Sequence, residues 1–376
     1  MKKIYDNVPE PDYAILVGVG INKIIDESSL DELSALAATC NVREVGRVVQ
    51  NRKEIDTTFY IGKGKVDEIA RLIEEKKANV VIFDIELSGS KTRNLEKELG
   101  VTVLDRSKVI LDIFALRAQS MEGKLQVELA QLKYNSTRLV VGQSGYMSQM
   151  KSAVGMRGPG EKKLELDKRT IKNQITELEQ KLRKLSANRN LNRKSANKSG
   201  KKRVCLVGYT NSGKSTLLNT ISKAGVLAED KLFATLDPKT TNVYIEGTHI
   251  LLTDTVGFID KLPHEFIKAF ESTLDEARYA DLLLHMVDVA NPNYHAQVQV
   301  VEEVLAKIGA SAVPTILVLN KIDMLSQTEI AGLDKQFEGR DHMAVSAKNN
   351  KGIDGLKELI RTILSKNFHL PSRPSL

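Results

Sequence analysis

The octet Gly208-Tyr209-Thr210-Asn211-Ser212-Gly213-Lys214-Ser215 constrains this chain more than any other feature. It follows the apolar run Val204-Cys205-Leu206-Val207 and precedes Thr216-Leu217-Leu218-Asn219-Thr220-Ile221, which reads as a helix. Strand, glycine-bounded loop and helix, in that order, make a phosphate-binding loop. Gly208 and Gly213 let the backbone curl so that successive N–H groups converge on phosphate oxygens. The helix N-terminus adds partial positive charge at the same point. Lys214 can reach β- and γ-phosphates, and the Ser215 hydroxyl can ligate Mg²⁺. The whole octet and Thr216 are therefore candidate nucleotide-binding positions.

Three later segments narrow the choice of nucleotide. His249-Ile250-Leu251-Leu252-Thr253 reads as a strand ending in Asp254-Thr255-Val256-Gly257. A carboxylate there, beside the phosphate loop, can hold Mg²⁺ directly or through water, and the Gly257 N–H can meet a γ-phosphate. Thr315-Ile316-Leu317-Val318-Leu319 reads as a second strand, ending in Asn320-Lys321-Ile322-Asp323. Asp323 can accept two hydrogen bonds from guanine N1–H and its exocyclic amine, a pair that adenine cannot supply. Asn320 can tie this loop to the base and the phosphate loop, while the Lys321 stem covers a ring face. Ser346-Ala347-Lys348 follows Met343-Ala344-Val345 and puts the Ala347 N–H in place for guanine O6. The spacings are 46 residues from Gly208 to Asp254, 66 to Asn320 and 26 to Ser346. This order resembles the translation-factor-related class of P-loop GTPases, which implies GTP/GDP and Mg²⁺ as ligands. Within the loop Phe233-Ala234-Thr235-Leu236-Asp237-Pro238, Thr235 is the candidate to ligate Mg²⁺ and sense the γ-phosphate; Thr240 and Thr241 are its rivals. Lys214, Thr235 and Gly257 are the catalytic candidates, and Ser215, Thr235 and Asp254 the metal candidates.

Two residues bear on hydrolysis. Phe258 stands where many signalling GTPases place a glutamine that orients the attacking water. Phenylalanine cannot hydrogen-bond water, so slow intrinsic turnover, completed by a partner surface or by the backbone of the Thr235 loop, is expected. Asn211 occupies the fourth place of the octet, where potassium-activated GTPases carry an asparagine. K⁺ held there replaces the charge of an arginine finger. An asparagine that caps its own turn is the open alternative.

The composition, 41 % hydrophobic and 27 % charged over 376 residues, is that of two or three soluble domains. No apolar run approaches the roughly 18–20 residues of a membrane span. The N-terminal MKKIYDNVPEPDY lacks the apolar core of a signal peptide, and Cys40 and Cys205 lack metal-type spacing. A cytoplasmic, monomeric protein without stable membrane insertion is expected. The net charge of +7 is local, because Lys181 to Arg203 holds ten Lys/Arg and no Asp or Glu. That stretch reads as a solvated linker or as a contact to an RNA backbone.

Upstream, strands at Ala14–Val17 and Val80–Phe83 alternate with helices at Leu30–Ala38 and Val66–Leu72, which argues for a small α/β domain with a mostly parallel sheet. Gly62-Lys63-Gly64-Lys65 reads as a tight turn into the second helix or an anion site at its N-terminus. Leu125, Leu129 and Leu132, then Ile171, Ile175, Leu178, Leu182 and Leu185, follow heptad spacing on two helices. With the glycine-rich stretch Val140 to Lys163 between them, they predict an antiparallel hairpin with a basic tip suited to a crevice in a large RNA.

Several segments together resemble the HflX-type GTPases: Phe59-Tyr60-Ile61-Gly62-Lys63-Gly64-Lys65, Leu111-Asp112-Ile113-Phe114-Ala115-Leu116-Arg117-Ala118, the run Glu122 to Leu132, Arg157-Gly158-Pro159-Gly160-Glu161, and Phe233 to Asp237. The resemblance runs from about residue 10 to 366. It implies binding to the large ribosomal subunit and its RNA, with the hairpin tip reaching toward the peptidyl-transferase centre. It also implies splitting or rescue of stalled ribosomes, hydrolysis stimulated by the ribosome and, in some members, ATP binding by the N-terminal domain. Ser152-Ala153-Val154-Gly155 stands where the family usually has Gly-Gly-Ile-Gly, and the extra C-terminal domain of longer members is not expected. A passive ribosome-binding or hibernation factor and a ribosome-assembly GTPase are the alternative functions. The expected architecture is α/β: an N-terminal domain over 1–105, the helical hairpin over 106–185, a basic linker over 186–202, a P-loop GTPase domain over 203–366 and a tail over 367–376.

Overall fold

The structure, a computed structural model, describes residues 11–366 apart from 23–24, 26, 139–159, 198–200, 223–231, 234, 246, 262, 264–265 and 267–270. The chain divides into two compact units, Met1–Leu116 with Val127–Gln180, and Arg117–Gln126 with Lys181–Leu376.

The first unit is built on a four-stranded, all-parallel sheet in the order β2-β1-β3-β4. The strands are β1 (Asp12–Ile21), β2 (Val42–Arg52), β3 (Val80–Phe83) and β4 (Thr102–Asp105). The inner strands are near-continuous apolar runs, because helices cover both faces of a parallel sheet. The helices are α1 (Glu27–Thr39), α2 (Lys63–Lys76), α3 (Gly89–Leu99) and α4 (Arg106–Arg117). Strand β2 escapes a pattern-based reading: it lies at the sheet edge, and its charged residues (VREVGRVVQNR) mask the alternation. Gly62 is the N-cap of α2, so the Gly62–Lys65 segment is a turn into a helix. Asp84, just past β3, is fully buried and accepts hydrogen bonds from Arg106 (2.8 Å) and Ser29 (2.6 Å). Asp105, at the end of β4, accepts from Tyr134 (2.9 Å), Arg138 (2.7 Å) and the Leu87 N–H (3.1 Å). Buried carboxylates at adjacent strand ends thus draw charge-assisted partners instead of standing unpaired.

Two long helices, α5 (Met121–Arg138) and α6 (Gly160–Asn197), flank the glycine-rich segment. Lys133 of α5 pairs with Glu179 of α6 at 2.8 Å. Leu129, Ile171 and Leu178, three of the heptad positions, are buried. Most of the basic run from Lys181 is helical, to Asn197. The hairpin tip up to Pro159, including Ser152–Gly155 and Arg157-Gly158-Pro159, and the 367–376 tail lie outside the described residues.

The second unit holds a six-stranded sheet in the order β10-β9-β8-β5-β7-β6, parallel except for the β6–β7 pair. Its strands are β5 (Lys202–Gly208), β6 (Lys239–Ile245), β7 (Thr248–Asp254), β8 (Leu282–Asp288), β9 (Thr315–Asn320) and β10 (His342–Ala344). Helices α7 (Lys214–Ser222), α8 (Glu271–Arg278), α9 (Tyr294–Lys307), α10 (Gln327–Gln336) and α11 (Ile353–Lys366) accompany it. One core packs Val204, Leu206, Leu217, Leu218 and Leu252 with Leu356, Ile360 and Leu364 of α11. The register pairs Leu206 with Asp254 and Asp288 with Asn320, so Gly208, Asp254 and Asn320 all emerge at the carboxyl edge, where open α/β sheets bind ligands. Among the described residues, no helix is long and apolar enough to cross a membrane.

Candidate functional site

The octet forms the loop between β5 and α7. Three of its residues take positive φ: Gly208 (151°), Asn211 (59°) and Gly213 (94°). Asparagine tolerates this region better than most side chains, which accounts for Asn211 at an exposed apex. Gly213 is required on two counts. Its φ disfavours a side chain, and a Cβ there would lie 2.2 Å from Asn320 Nδ2.

That close approach lets Asn320 cross-link two loops. Its Nδ2 donates to Ser212 O at 2.9 Å, and its Oδ1 accepts from the Ala347 N–H at 3.0 Å. The side chain is 3 % exposed. Asp323 is exposed and accepts from Ser346 Oγ at 2.6 Å, which fixes the carboxylate beside the Ser346–Lys348 loop. Lys321 sits at φ 68° and pairs its Nζ with Asp288 at 2.7 Å, so its stem is held over the loop by a strand-end carboxylate. Lys348 is exposed. Sequence reasoning missed Asp288, and it missed Thr220, whose Oγ1 donates to Ala347 O at 2.8 Å. A threonine inside an apolar helix carries no signal of a contact 127 residues away.

At the other end of the loop three oxygens converge. Ser215 Oγ lies 2.6 Å from Asp254 Oδ2 and 3.0 Å from Thr235 Oγ1, and Thr235 Oγ1 donates to Asp254 Oδ2 at 2.9 Å. The second carboxylate oxygen of Asp254 is buried without a hydrogen-bond partner. Two hydroxyls and one carboxylate make a hard-oxygen set that fits Mg²⁺, which keeps waters and phosphate oxygens in its remaining positions. Among the described residues, no three His, Cys, Asp or Glu side chains converge into a metal cage. Thr240 lies on β6 and bonds Thr253 at 2.9 Å, and Thr241 is on the same strand, so neither rival reaches this set.

Lys214 is buried, and its Nζ donates to Gly208 O (3.1 Å) and Tyr209 O (2.8 Å). Burial pushes its ammonium down to about 8, against the opposing pull of Asp254. A phosphate beside it would raise it again. Ser212 Oγ donates to Tyr209 O at 2.8 Å and stiffens the curl. Thr216, on the first turn of α7, accepts from Thr220 through its carbonyl. Gly257 packs on the loop so closely that a Cβ would lie 2.9 Å from Thr210 Cα and 3.1 Å from Lys214 Nζ. Phe258 is 2 % exposed, so its ring offers nothing to a water molecule. Its backbone instead straps the segment to the phosphate loop: Phe258 N–H donates to Gly208 O (3.1 Å), and Thr210 N–H donates to Phe258 O (2.7 Å). The Asp260 N–H adds a bond to the Tyr209 hydroxyl at 2.7 Å.

Three family descriptions match in chain order: a GTP-binding GTPase N-terminal region over residues 27–115, a GTP-binding GTPase middle region over 117–196, and a 50S ribosome-binding GTPase domain over 203–321. The GTPase HflX of Caldanaerobacter subterraneus subsp. tengcongensis is 48 % identical over 360 residues, covering 96 % of this chain and 82 % of that protein. The GTPase HflX of Escherichia coli K12 is 40 % identical over 364 residues, covering 96 % and 85 %. A crystal structure of a GTP-binding protein, SsGBP, in complex with GDP matches with a TM-score of 0.51 and 26 % identity, covering 95 % of this chain and 99 % of that one. At this identity, over nearly the whole chain, the protein belongs to the GTPase HflX family.

Proposed function

We propose that this chain binds GTP with Mg²⁺ at the carboxyl edge of the second sheet and hydrolyses it to GDP and phosphate while bound to the large ribosomal subunit. The observation that carries the reading is the pair of constellations on one loop. Ser215, Thr235 and Asp254 converge at one end of it, and Asn320 ties its other end to the Asp323 and Ala347 loops. Asp323 and the Ala347 N–H select guanine, with Ser346, Lys321 and Lys348 shaping the base pocket. The backbone amides from Tyr209 to Thr216 and the Lys214 ammonium hold the phosphates. Ser215, Thr235 and Asp254 would hold Mg²⁺, which would supply positive charge to neutralise the negative charge developing on the phosphates.

In the reaction, a water oxygen bonds to the γ-phosphorus as the bond to the β–γ bridging oxygen breaks. The Gly257 N–H donates to a γ-phosphate oxygen once the Phe258 strap yields. The Phe258 side chain does not orient the water, because it is apolar and buried. Turnover is therefore slow until a partner surface or the Thr235 loop backbone completes the site. The description of the matching domain and the basic α6 agree in pointing to the large subunit and its RNA as that surface. GTP-driven splitting or rescue of stalled ribosomes is the activity we assign to the bound state.

The test is phosphate release by the full chain with and without large subunits, with 70S ribosomes followed on sucrose gradients in GTP or a non-hydrolysable analogue. Stimulated release and GTP-dependent appearance of free subunits support the reading. Binding without stimulation or splitting would turn it into a passive ribosome-binding factor.

A further inference from the structure

Two segments far apart in sequence meet beside the proposed metal set. Asp237, two residues past Thr235, directs its carboxylate at Gln119 and Ser120, the two residues just before α5. Oδ2 accepts the N–H groups of Gln119 (2.9 Å) and Ser120 (2.8 Å), and Oδ1 accepts the Ser120 hydroxyl. Ser120 also caps the helix: its Oγ accepts the Gly123 N–H at 2.9 Å, and its carbonyl accepts the Lys124 N–H at 3.0 Å. The amides at a helix N-terminus have no partner inside the helix, and its dipole favours a carboxylate. Gly123 makes room for this contact, since a Cβ there would lie 2.4 Å from Asp237 Oδ1. The contact lies within one compact unit, which takes in Arg117–Gln126 together with Lys181–Leu376.

We infer that Asp237 is a positioning residue for GTP hydrolysis: by anchoring its loop to Gln119 and Ser120, just before α5, it holds Thr235 beside Ser215 and Asp254. Ser215 stands on α7 and Asp254 at the end of β7, so secondary structure fixes both. Thr235 stands on a loop. Phe233 and Leu236 anchor that loop by burial, and the three bonds of Asp237 fix it in direction. Residues 117–126, outside the GTPase domain in sequence, thereby complete the metal site. The inference rests on the reading of Thr235 as a Mg²⁺ ligand.

The experiment measures the Mg²⁺ concentration for half-maximal GTP hydrolysis in the full chain, for Ser120→Ala, Gly123→Ala, Asp237→Ala and Thr235→Ala. Partners that orient metal ligands contribute roughly tenfold in metal affinity. Ser120→Ala, Gly123→Ala and Asp237→Ala should each raise the half-saturating Mg²⁺ about tenfold, with excess Mg²⁺ restoring the rate. Thr235→Ala should not be restored, and adding Ser120→Ala to it should change nothing further. Gly123→Ala is the sharpest arm. Alanine favours the helix by about 1 kcal/mol, which offsets the lost contact, so the melting temperature should hold while the Mg²⁺ requirement increases. An unchanged Mg²⁺ requirement in the Ser120 and Gly123 variants, with Thr235→Ala impaired, overturns the inference alone. A Thr235→Ala protein with normal Mg²⁺ dependence overturns the reading beneath it.

Discussion

Replacing Asn320 by alanine tests whether the base pocket and the phosphate loop are one rigid unit. The substitution removes two hydrogen bonds, to Ser212 O at 2.9 Å and from the Ala347 N–H at 3.0 Å, and orphans both backbone groups. A lost intramolecular bond costs about 1 kcal/mol net, and a buried group left unsatisfied about 1–3 kcal/mol. Two such groups give about 2–6 kcal/mol, which is about 30- to 25,000-fold in affinity if it falls wholly on nucleotide binding. It falls there because both partners sit on loops beyond the strand ends; on the Ala347 side the last bond to the sheet is Val345 N–H to Leu319 O at 2.8 Å. In the free protein the loops relax and water reaches the orphaned groups; in the complex they must be re-formed without the cross-link. Titration with a fluorescent GDP analogue reads the loss, and urea unfolding of the nucleotide-free protein reads how much is spent on stability. Thr220→Ala, which removes the 2.8 Å bond to Ala347 O along with the hydroxyl's 2.9 Å bond to Thr216 O within its own helix, should lose about fivefold. An Asn320→Ala protein that is folded and binds GDP within threefold of the parent would refute the reasoning, since the two loops would then be placed without their cross-link.

Three further outcomes follow from the same geometry. Asp323→Asn keeps an acceptor for Ser346 Oγ but turns an acceptor toward the base into a donor, so competition binding should show guanine nucleotides losing at least about 100-fold and xanthine nucleotides gaining. Turnover in K⁺ should exceed that in Na⁺ at equal ionic strength by at least about tenfold if Asn211 helps hold the ion, and equal rates remove that role. Acid should destabilise the fold through His285 on β8, whose buried Nδ1 has no partner and whose imidazole burial pushes down to about 3. The unfolded chain takes up this proton below about pH 6.5 and the folded chain does not. Stability is therefore unaffected above that pH and falls as pH drops toward 3. Between pH 6.5 and 5.5 the loss is about 1 kcal/mol, and urea unfolding of His285→Leu should lack it.

The parts of the site that were legible in the sequence are those in which one short segment does the chemistry. The octet announces a turn between strand and helix, and Asn320 to Asp323 announce a loop at a strand's end, because local backbone and side-chain chemistry suffice for both. Thr235 could be only one of three threonines until β6 took Thr240 and Thr241 into its ladder. Thr220, Asp288 and the Ser120–Asp237 pair were not legible. Each is an ordinary polar residue whose partner lies from 33 to 127 residues away, and no periodicity reports such a pairing. In the first unit β1 and β3 were legible as apolar runs, whereas β2 was not, because an edge strand exposes charge on purpose.

These two classes of residue differ in what holds them. Gly208, Asp254 and Asn320 stand at the ends of paired strands, so the register of the sheet fixes them before any ligand arrives. Thr235, Gly257 and Asp260 stand on segments tied down by a few bonds to the phosphate loop or to the turn at Ser120. On the proposed reading, the sheet-held residues set affinity for the guanine nucleotide, and the loop-held residues set the rate. A loop pinned by so few bonds can be re-aimed by a partner that competes for only one of them. The buried ring of Phe258 leaves the orientation of water to such a partner. Control of hydrolysis therefore belongs at the Thr235 and Gly257 segments, and variants there should alter turnover far more than GDP affinity. Variants at Asn320 should do the reverse.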